Sequence, residues 1–159
     1  MGKRLSHLDA EGAARMVDVS AKAVTERQAT ASAKVAMGTE TLRLVRGGKV
    51  AKGDVLATAR LAGITAAKRT ADLIPLCHPL PLDEVAVELE FEEGGIAIAA
   101  RVKATARTGV EMEALTAACV AALTVYDMCK ALDRGIAIGP VRLERKSGGA
   151  GGTFERGTS

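Results

Sequence analysis

Alternation of apolar and polar residues along the chain predicts three strands. One stretch places five apolar side chains on a single face: Ala29, Ala31, Ala33, Val35 and Met37. Similar alternation runs from Val85 to Phe91 and again from Ile96 to Val102, with Glu93-Gly94-Gly95 between the two. Because period-two alternation is typical of half-buried strands and glycine-containing turns join hairpins, the last two stretches predict a β-hairpin.

Helices are expected between and around these strands. A short helix should cover residues 39–46 and stop at Gly47-Gly48. A second helix should begin after Asp54, a residue type that caps helix N-termini, and end before Pro75, which cannot continue a helix.

A third, long helix is expected near the C-terminal end of the chain. Thr108-Gly109-Val110-Glu111 has the spacing of a capping box, which predicts a helix start there. The helix should run to about Leu132 and be ended by Gly135, a typical C-terminal glycine. A last strand is expected from Ile138 to Arg145.

The predicted order is β-α-α-β-β-α-β. Apart from the additional short helix, this is the split βαβ pattern of ferredoxin-like folds, so we expect an α+β fold with an antiparallel sheet and helices on one face. The other face carries alanines and small polar residues and should pack on another subunit. Residues 1–22 should form an extended arm, 23–147 the domain and 148–159 a flexible, glycine-rich tail.

Composition narrows the class of protein. The chain has 159 residues, 48% of them hydrophobic and 26% charged, which favours one soluble domain. The net charge of +3 suits an anionic small molecule and requires neither nucleic acid nor a membrane surface. Three cysteines without a C-x-x-C pair indicate reduced thiols and no zinc ribbon. With no apolar signal region at the N-terminus, we expect a cytoplasmic protein.

One segment combines proline and histidine unusually densely. Residues 72–83 contain three of the four prolines and one of the two histidines. Because proline fixes its own φ and restricts the residue before it, Cys77 and His78 should be held in a rigid, non-helical frame. The segment either presents an imidazole to a ligand or is a stiff connector with an incidental histidine.

Acidic residues near both ends of the long helix are candidates for chemistry. Asp127 and Lys130 share a helix face, which fits an exposed ion pair stabilising by about 0.2–0.5 kcal/mol or an acid/base pair. The second reading expects a less polar site to bring their pKa values toward neutrality. The capping box gives Glu111 a sufficient structural role, whereas Glu113 has no such role. Fourteen residues of helix place Glu113 about 21 Å from Asp127, so a site using both should lie between subunits.

Basic residues that could hold phosphates are scattered along the chain: Lys22, Lys52, Lys68, Arg69 and Lys146. A single lysine is more often a solvated surface charge, but several together could clamp a phosphate chain. Lys146-Ser147-Gly148-Gly149 offers backbone N–H donors near an anion, although it lacks the pattern of a P-loop.

Taken together, these segments are far more specific than any one alone, and the chain resembles the cyclic pyranopterin monophosphate synthase family, molybdenum cofactor biosynthesis protein C. The resemblance runs from about residue 5 to 149 and is carried by these segments: His7-Leu8-Asp9, Met16-Val17-Asp18-Val19-Ser20-Ala21-Lys22, Lys52-Gly53-Asp54-Val55, Ala57-Thr58-Ala59-Arg60, Ala66-Ala67-Lys68-Arg69-Thr70, Leu73-Ile74-Pro75-Leu76-Cys77-His78-Pro79-Leu80, Thr108-Gly109-Val110-Glu111-Met112-Glu113-Ala114-Leu115-Thr116, Tyr126-Asp127-Met128-Cys129-Lys130, Ile138-Gly139-Pro140-Val141-Arg142-Leu143 and Lys146-Ser147-Gly148-Gly149.

The resemblance implies a lyase that converts 3′,8-cyclo-7,8-dihydroguanosine 5′-triphosphate into cyclic pyranopterin monophosphate and diphosphate in molybdenum cofactor biosynthesis. It implies a homohexamer, a trimer of dimers, with sites at subunit interfaces. Asp127 would be the catalytic acid/base with Lys130 as its companion. The residues implied to contact the purine-derived substrate are Leu76, Cys77, His78, Met112 and Glu113, with Lys52, Lys68 and Lys146 as further basic members.

No cofactor is expected, because the implied reaction has no redox step. Mg²⁺ is an optional aid to the phosphates, and no carboxylate cluster typical of a metal site stands out in the sequence.

A non-catalytic ligand- or RNA-binding module is the alternative from a different class. An RNA-recognition sheet needs exposed aromatic residues for stacking, and Phe91, Tyr126 and Phe154 do not lie in such a string. A regulatory small-molecule domain is left open by the residues themselves.

Overall fold

The computed structural model describes residues 11–157, and within that range the chain forms six strands and four helices. In chain order they are β1 (Thr25–Ala36), α1 (Thr39–Arg46), α2 (Val55–Ala67), α3 (Thr70–Leu73), β2 (Glu84–Glu92), β3 (Gly95–Ala106), α4 (Glu111–Cys129), β4 (Ala137–Ile138), β5 (Arg142–Ser147) and β6 (Phe154–Glu155).

The strands form one antiparallel sheet. Its order is β2-β3-β1-β5-β6, and β4 pairs with β1 beside this path. The central pair, β1 and β3, is in register from Thr25 opposite Ala106 to Ala36 opposite Gly95. Strand β3 therefore lies between β1 and β2, which is the split βαβ arrangement, and the predicted α+β fold is confirmed.

The core lies between one face of the sheet and helices α2 and α4. Alternate residues of β1 and β3 are buried there, and α4 packs on them with a run of alanines. Gly63 allows α2 to approach α4 closely, because a Cβ at this position would come within 2.9 Å of the Ala117 carbonyl oxygen. An aliphatic core of small residues thus brings both helices close to the sheet.

Helix α4 is long and apolar enough to cross a membrane by length and composition alone. More than half of its most apolar stretch is, however, buried inside the subunit. The helix packs against β1, β3 and α2. Its apolar character is therefore that of a core helix.

Helix α2 ends at Ala67, before Pro75 as expected, and a separate turn, α3, begins at Thr70, whose hydroxyl donates to the Ala67 carbonyl at 3.0 Å. Both ends of α4 differ from the sequence-based expectation. The predicted capping box is wrong: α4 has Val110 as its N-cap without a side-chain bond. The helix also ends at Cys129, before Leu132.

The C-terminal strand is also divided. The expected single strand from Ile138 to Arg145 is interrupted after β4, where Gly139 has φ +135° and Pro140 cannot donate to a ladder. Further along, β6 pairs with β5 inside the segment predicted as a tail. The division into arm, domain and tail stays a prediction, and residues 1–10 and 158–159 lie outside the described residues.

Candidate functional site

A pocket of about 300 Å³ gathers five of the predicted substrate-binding residues. They come from two elements, the proline-framed segment after α3 and the first turn of α4: Leu76, Cys77, His78, Met112 and Glu113. The segment before β1 adds Val17, Val19 and Lys22 to the wall, and the lining is completed by Leu80, Thr108, Gly109 and Glu111. We call this cavity the first pocket.

Glu113 is a carboxyl group buried in the wall of the first pocket. It is only 4% exposed. Burial raises its pKa above the ordinary value and the charge of Glu111 adds to the rise, while its own backbone N–H opposes it. Burial, followed by the charge of Glu113, also raises the pKa of the Cys77 thiol. The pocket therefore offers a carboxyl group that holds its proton more readily, beside a thiol whose raised pKa makes it ionise less readily.

His78 contacts the segment that precedes β1. Its Nε2 lies 2.8 Å from the main-chain carbonyl oxygen of Val17. Because a carbonyl oxygen only accepts hydrogen bonds, Nε2 carries the hydrogen in this contact. The histidine in the proline frame is thus fixed by a specific partner in the described subunit.

A second, basic pocket of about 560 Å³ adjoins the first. Its lining includes the cationic side chains of Lys22, Arg27, Arg107 and Lys146, the carboxylate of Glu111 and the glycine-rich residues 147–151. Four residues line both cavities: Lys22, Thr108, Gly109 and Glu111. The two pockets therefore adjoin along a shared wall, and we call them together the groove, with a carboxyl-bearing end and a cationic end.

The basic pocket is organised around Arg27. One of its terminal nitrogens donates to the Arg107 carbonyl at 3.3 Å, while its buried Nε has no hydrogen-bond partner among the described residues. The guanidinium occupies the space that a side chain on Gly149 would need, and Gly149 has φ +73°. Glycine is therefore required where the loop wraps Arg27, and the guanidinium in the pocket lining supplies a positive charge suited to an anion.

Glu111 separates the two ends of the groove. Its carboxylate takes the space that a Cβ on Gly109 would occupy and lies 3.8 Å from Lys146 Nζ. The sequence had explained Glu111 as a capping residue, and the structure instead places it in the lining of both pockets.

The predicted catalytic pair forms a cluster with Lys52 at the other end of α4. Lys130 Nζ lies 2.7 Å from Asp127 Oδ1, and Lys52 Nζ lies 2.8 Å from Asp127 Oδ2. Lys130, followed by Lys52, lowers the pKa of Asp127 to about 2, and Asp127 raises the pKa of Lys130. The expected shift toward neutrality is not found, because the group is exposed and surrounded by cations in the described subunit.

The structure does not bring all predicted site residues together in one subunit. Neither Asp127 nor Lys130 lines the first or the basic pocket of the described chain. Fourteen residues of α4 separate Glu113 from Asp127, about 21 Å along the helix axis. Lys68 lies elsewhere again, in a third cavity of about 440 Å³ that it shares with Asp83 and Glu84.

Two arginines of the basic pocket were missed by the sequence-based prediction. Arg27 lies near the start of β1, and Arg107 follows the end of β3. The antiparallel register pairs Thr25 with Ala106, which brings the two arginines to the same end of the β1–β3 pair. The signal in the sequence was a basic residue at the corresponding ends of two predicted strands.

Among residues 11–157, no group of three or more His, Cys, Asp or Glu side chains is arranged to hold a metal ion.

Comparison with known proteins finds one matching family and several similar proteins. The model of the MoaC family matches residues 16–149. A protein of Mycobacterium bovis named cyclic pyranopterin monophosphate synthase 3 is 61% identical over 153 residues, covering 96% of this chain and 86% of the relative. Proteins named cyclic pyranopterin monophosphate synthase are 60% identical in Thermomicrobium roseum (96% and 93% covered) and 54% identical in Brevibacillus brevis (99% of both).

Proposed function

The chain belongs to the MoaC family, and from this premise we propose that it is a lyase that converts 3′,8-cyclo-7,8-dihydroguanosine 5′-triphosphate into cyclic pyranopterin monophosphate and diphosphate. The reaction is a step in molybdenum cofactor biosynthesis. The observation that carries the proposal is the groove, in which a carboxyl-bearing pocket adjoins a basic one. A molecule with a purine-derived ring at one end and a triphosphate at the other matches these two ends.

The ring end of the substrate should lie in the first pocket. Glu113 can accept hydrogen bonds from ring N–H groups when ionised and donate one when protonated. Leu76 and Met112 offer apolar surface for the ring faces, and Met112 is 37% exposed in the subunit. The carboxyl group would therefore orient the ring, while the apolar residues exclude water around it.

The triphosphate should lie in the basic pocket. Arg27, Arg107, Lys22 and Lys146 converge there from separate elements. Closing the cyclic phosphate forms a P–O bond to a substrate hydroxyl oxygen and breaks the P–O bond to the departing diphosphate. Cations that neutralise the leaving diphosphate favour this step.

Proton transfer is assigned to the Asp127 cluster, contributed by a second subunit. The distance along α4 leaves the cluster far from the groove of its own chain, so a composite site requires a neighbour. The helix-free face of the sheet carries half-buried Ala86 and Ala97 and exposed Ala99, and Glu88 and Glu90 lie across from the last two, so a second copy packed there would meet small side chains and carboxylates. We assign the assembly as a homohexamer, a trimer of dimers, on the strength of the family resemblance.

Substrate binding would itself change the pKa of Asp127. Its pKa is low because Lys130 and Lys52 surround it. A triphosphate that competes for these cations would weaken their hold on the carboxylate and raise its pKa toward the ordinary range. In the assembled site Asp127 would then accept a proton, and Lys130 would donate one.

The proposed reaction needs no redox cofactor from the protein. Ring opening, ring closure and phosphate cyclisation exchange protons and a leaving group without electron transfer. We assign Mg²⁺ the optional role of accompanying the phosphates, and we assign the protein to the cytoplasm, where its free cysteines would stay reduced.

Incubation of the full chain with the cyclised GTP intermediate tests this function. We expect diphosphate and cyclic pyranopterin monophosphate to form in equal amounts, with a parallel reaction in EDTA reporting any metal requirement. Recovery of intact, bound substrate without diphosphate would contradict the lyase and favour a ligand-binding module.

A further inference from the structure

Residues 17–22, which we call the strap, close one side of the first pocket. Val17 and Val19 are half-buried and line the pocket, while Met16, Asp18 and Ser20 are exposed. Two local bonds set the shape of the strap: Ser20 N–H donates to Asp18 Oδ1 at 2.8 Å, and Lys22 N–H donates to the Val19 carbonyl at 3.0 Å. The strap is therefore a preformed turn with its apolar side facing the groove.

Each end of the strap is held by a side chain of the domain. His78 Nε2 donates to the Val17 carbonyl at 2.8 Å, and Arg107 Nε donates to the Lys22 carbonyl at 3.2 Å. The histidine anchor is rigid, because Pro75, Pro79 and Pro81 surround it in the chain. The arginine anchor belongs to the basic pocket. Both ends of the strap are thus tied to groups that line the groove.

The hydrogen bonds from His78 and Arg107 restrain the position of Lys22. Its side chain lines both pockets, at the junction between the carboxyl-bearing and cationic ends. The bond at Val17 restrains this segment at one end, and the Arg107 bond and the covalent link to β1 restrain it at the other. The hydrogen bond donated by His78 therefore contributes to the position of Lys22.

We propose that His78 is a positioning residue, whose bond to the Val17 carbonyl holds the strap so that Lys22 meets the substrate where its ring joins its phosphates. The identity of that substrate rests on the proposed function, whereas the anchoring of the strap does not. A role through Lys22 differs from direct contact between the imidazole and the substrate, and the two roles give different results in the following experiments.

Limited trypsin digestion tests the anchor without any substrate. Cleavage after Lys22 requires the strap to open locally, so its rate reports how firmly the strap is held. His78→Gln keeps an N–H donor at the reach of Nε2, whereas His78→Asn and His78→Ala do not. We expect cleavage after Lys22 to accelerate about two- to tenfold in the Asn and Ala variants, from the loss of one hydrogen bond, and to stay near wild type in the Gln variant.

Cleavage after Lys49, in the exposed turn between α1 and α2, is the control within the same digest. Its rate should not change, because that turn does not touch the strap. Acceleration at both sites would indicate general loosening of the fold and would overturn the specific anchor. Unchanged cleavage after Lys22 in both the Asn and Ala variants would overturn it as well.

A double-mutant cycle of His78→Asn and Lys22→Ala separates positioning from direct contact. If His78 acts through Lys22, both single variants raise KM more than they lower kcat, and the double variant is little worse than Lys22→Ala alone. His78→Gln should restore most of the KM. Multiplying effects would show that His78 acts independently of Lys22 and would contradict the inference. If the wild type releases no diphosphate, the proposed function fails, and the digestion still decides whether His78 holds the strap.

Discussion

Lys52 donates from Nζ to both the carboxylate and the main-chain carbonyl of Asp127, each at 2.8 Å. The contact ties the loop between α1 and α2 to the last turn of α4. A cation there also satisfies a carbonyl at the helix C-terminus, where positive charge is favoured. Lys52 therefore holds the Asp127 side chain in place and also helps to lower its pKa. A residue of the loop thus acts directly on the proposed acid/base group.

Replacing the cations around Asp127 should raise its pKa from about 2 toward the ordinary value of 3.8. Lys130→Met should raise it more than Lys52→Met, because Lys130 makes the largest contribution. Carbon-13 NMR titration of the Asp127 carboxyl group measures both shifts. A pKa that stays near 2 in the Lys130→Met variant would contradict this electrostatic assignment.

The same depressed pKa predicts how stability depends on pH. Because the folded state lowers the pKa of Asp127, its contribution to the free energy of unfolding is present above about pH 4 and is lost as the pH falls toward 2. Denaturant unfolding between pH 5 and 2 should therefore show a smaller decline for Asp127→Asn than for the wild type. Equal slopes in this window would show that the exposed cluster does not stabilise the subunit.

Glu113 should show the opposite dependence. Burial raises its pKa in the folded state, so ionising it costs stability as the pH rises above its ordinary value of 4.5. Glu113→Gln removes this cost, and the variant should unfold at higher denaturant concentration than the wild type at pH 7, with the difference vanishing at pH 4. A variant that is less stable than the wild type at pH 7 would mean that the ionised carboxylate has a stabilising partner.

The arginines of the basic pocket should determine affinity for the phosphate chain. Arg27→Met or Arg107→Met removes a charged donor, and each should weaken binding of inorganic triphosphate about 10- to 100-fold. Isothermal titration calorimetry measures the loss. Arg43→Met is the matched control, since Arg43 is exposed on α1 and pairs with Glu40. Equal affinity for Arg27→Met and Arg43→Met would place the phosphates elsewhere.

Much of the fold could be predicted because the pattern is strong in the relevant segments. Alternation along β1, β2 and β3 identified the sheet, and Asp54 caps α2 as expected, accepting a bond from the Ala57 N–H at 2.9 Å. The capping box at Thr108 failed because its residues have other roles, with Glu111 turned toward Gly109 and Lys146. Local spacing could not reveal that preference.

The site was harder to predict than the fold. Residues adjacent in sequence, such as Leu76, Cys77 and His78, line one pocket. The partnership of Arg27 and Arg107 depends on the register of β1 against β3, which long-range packing determines. The pKa of Asp127 depends on Lys52, which lies 75 residues away in sequence. Such contacts arise only from the tertiary arrangement.

An active site assembled from two subunits can be tested by mixing inactive variants. Glu113→Gln and Asp127→Asn should each lose nearly all diphosphate release while remaining folded and assembled. Refolded together with different tags, they should recover activity, because a mixed dimer contains one intact site made of an unaltered Glu113 and an unaltered Asp127. Random mixing within dimers predicts recovery to about a quarter of the wild-type rate.

Mixing Asp127→Asn with Lys130→Met is the matched control, since both changes affect the same cluster and no intact site can form. The decisive measurement is diphosphate release by purified, doubly tagged assemblies of Glu113→Gln and Asp127→Asn. Activity well above that of either variant and of the control mixture is the expected result. No recovery in assemblies verified to contain both chains would contradict a site shared between subunits.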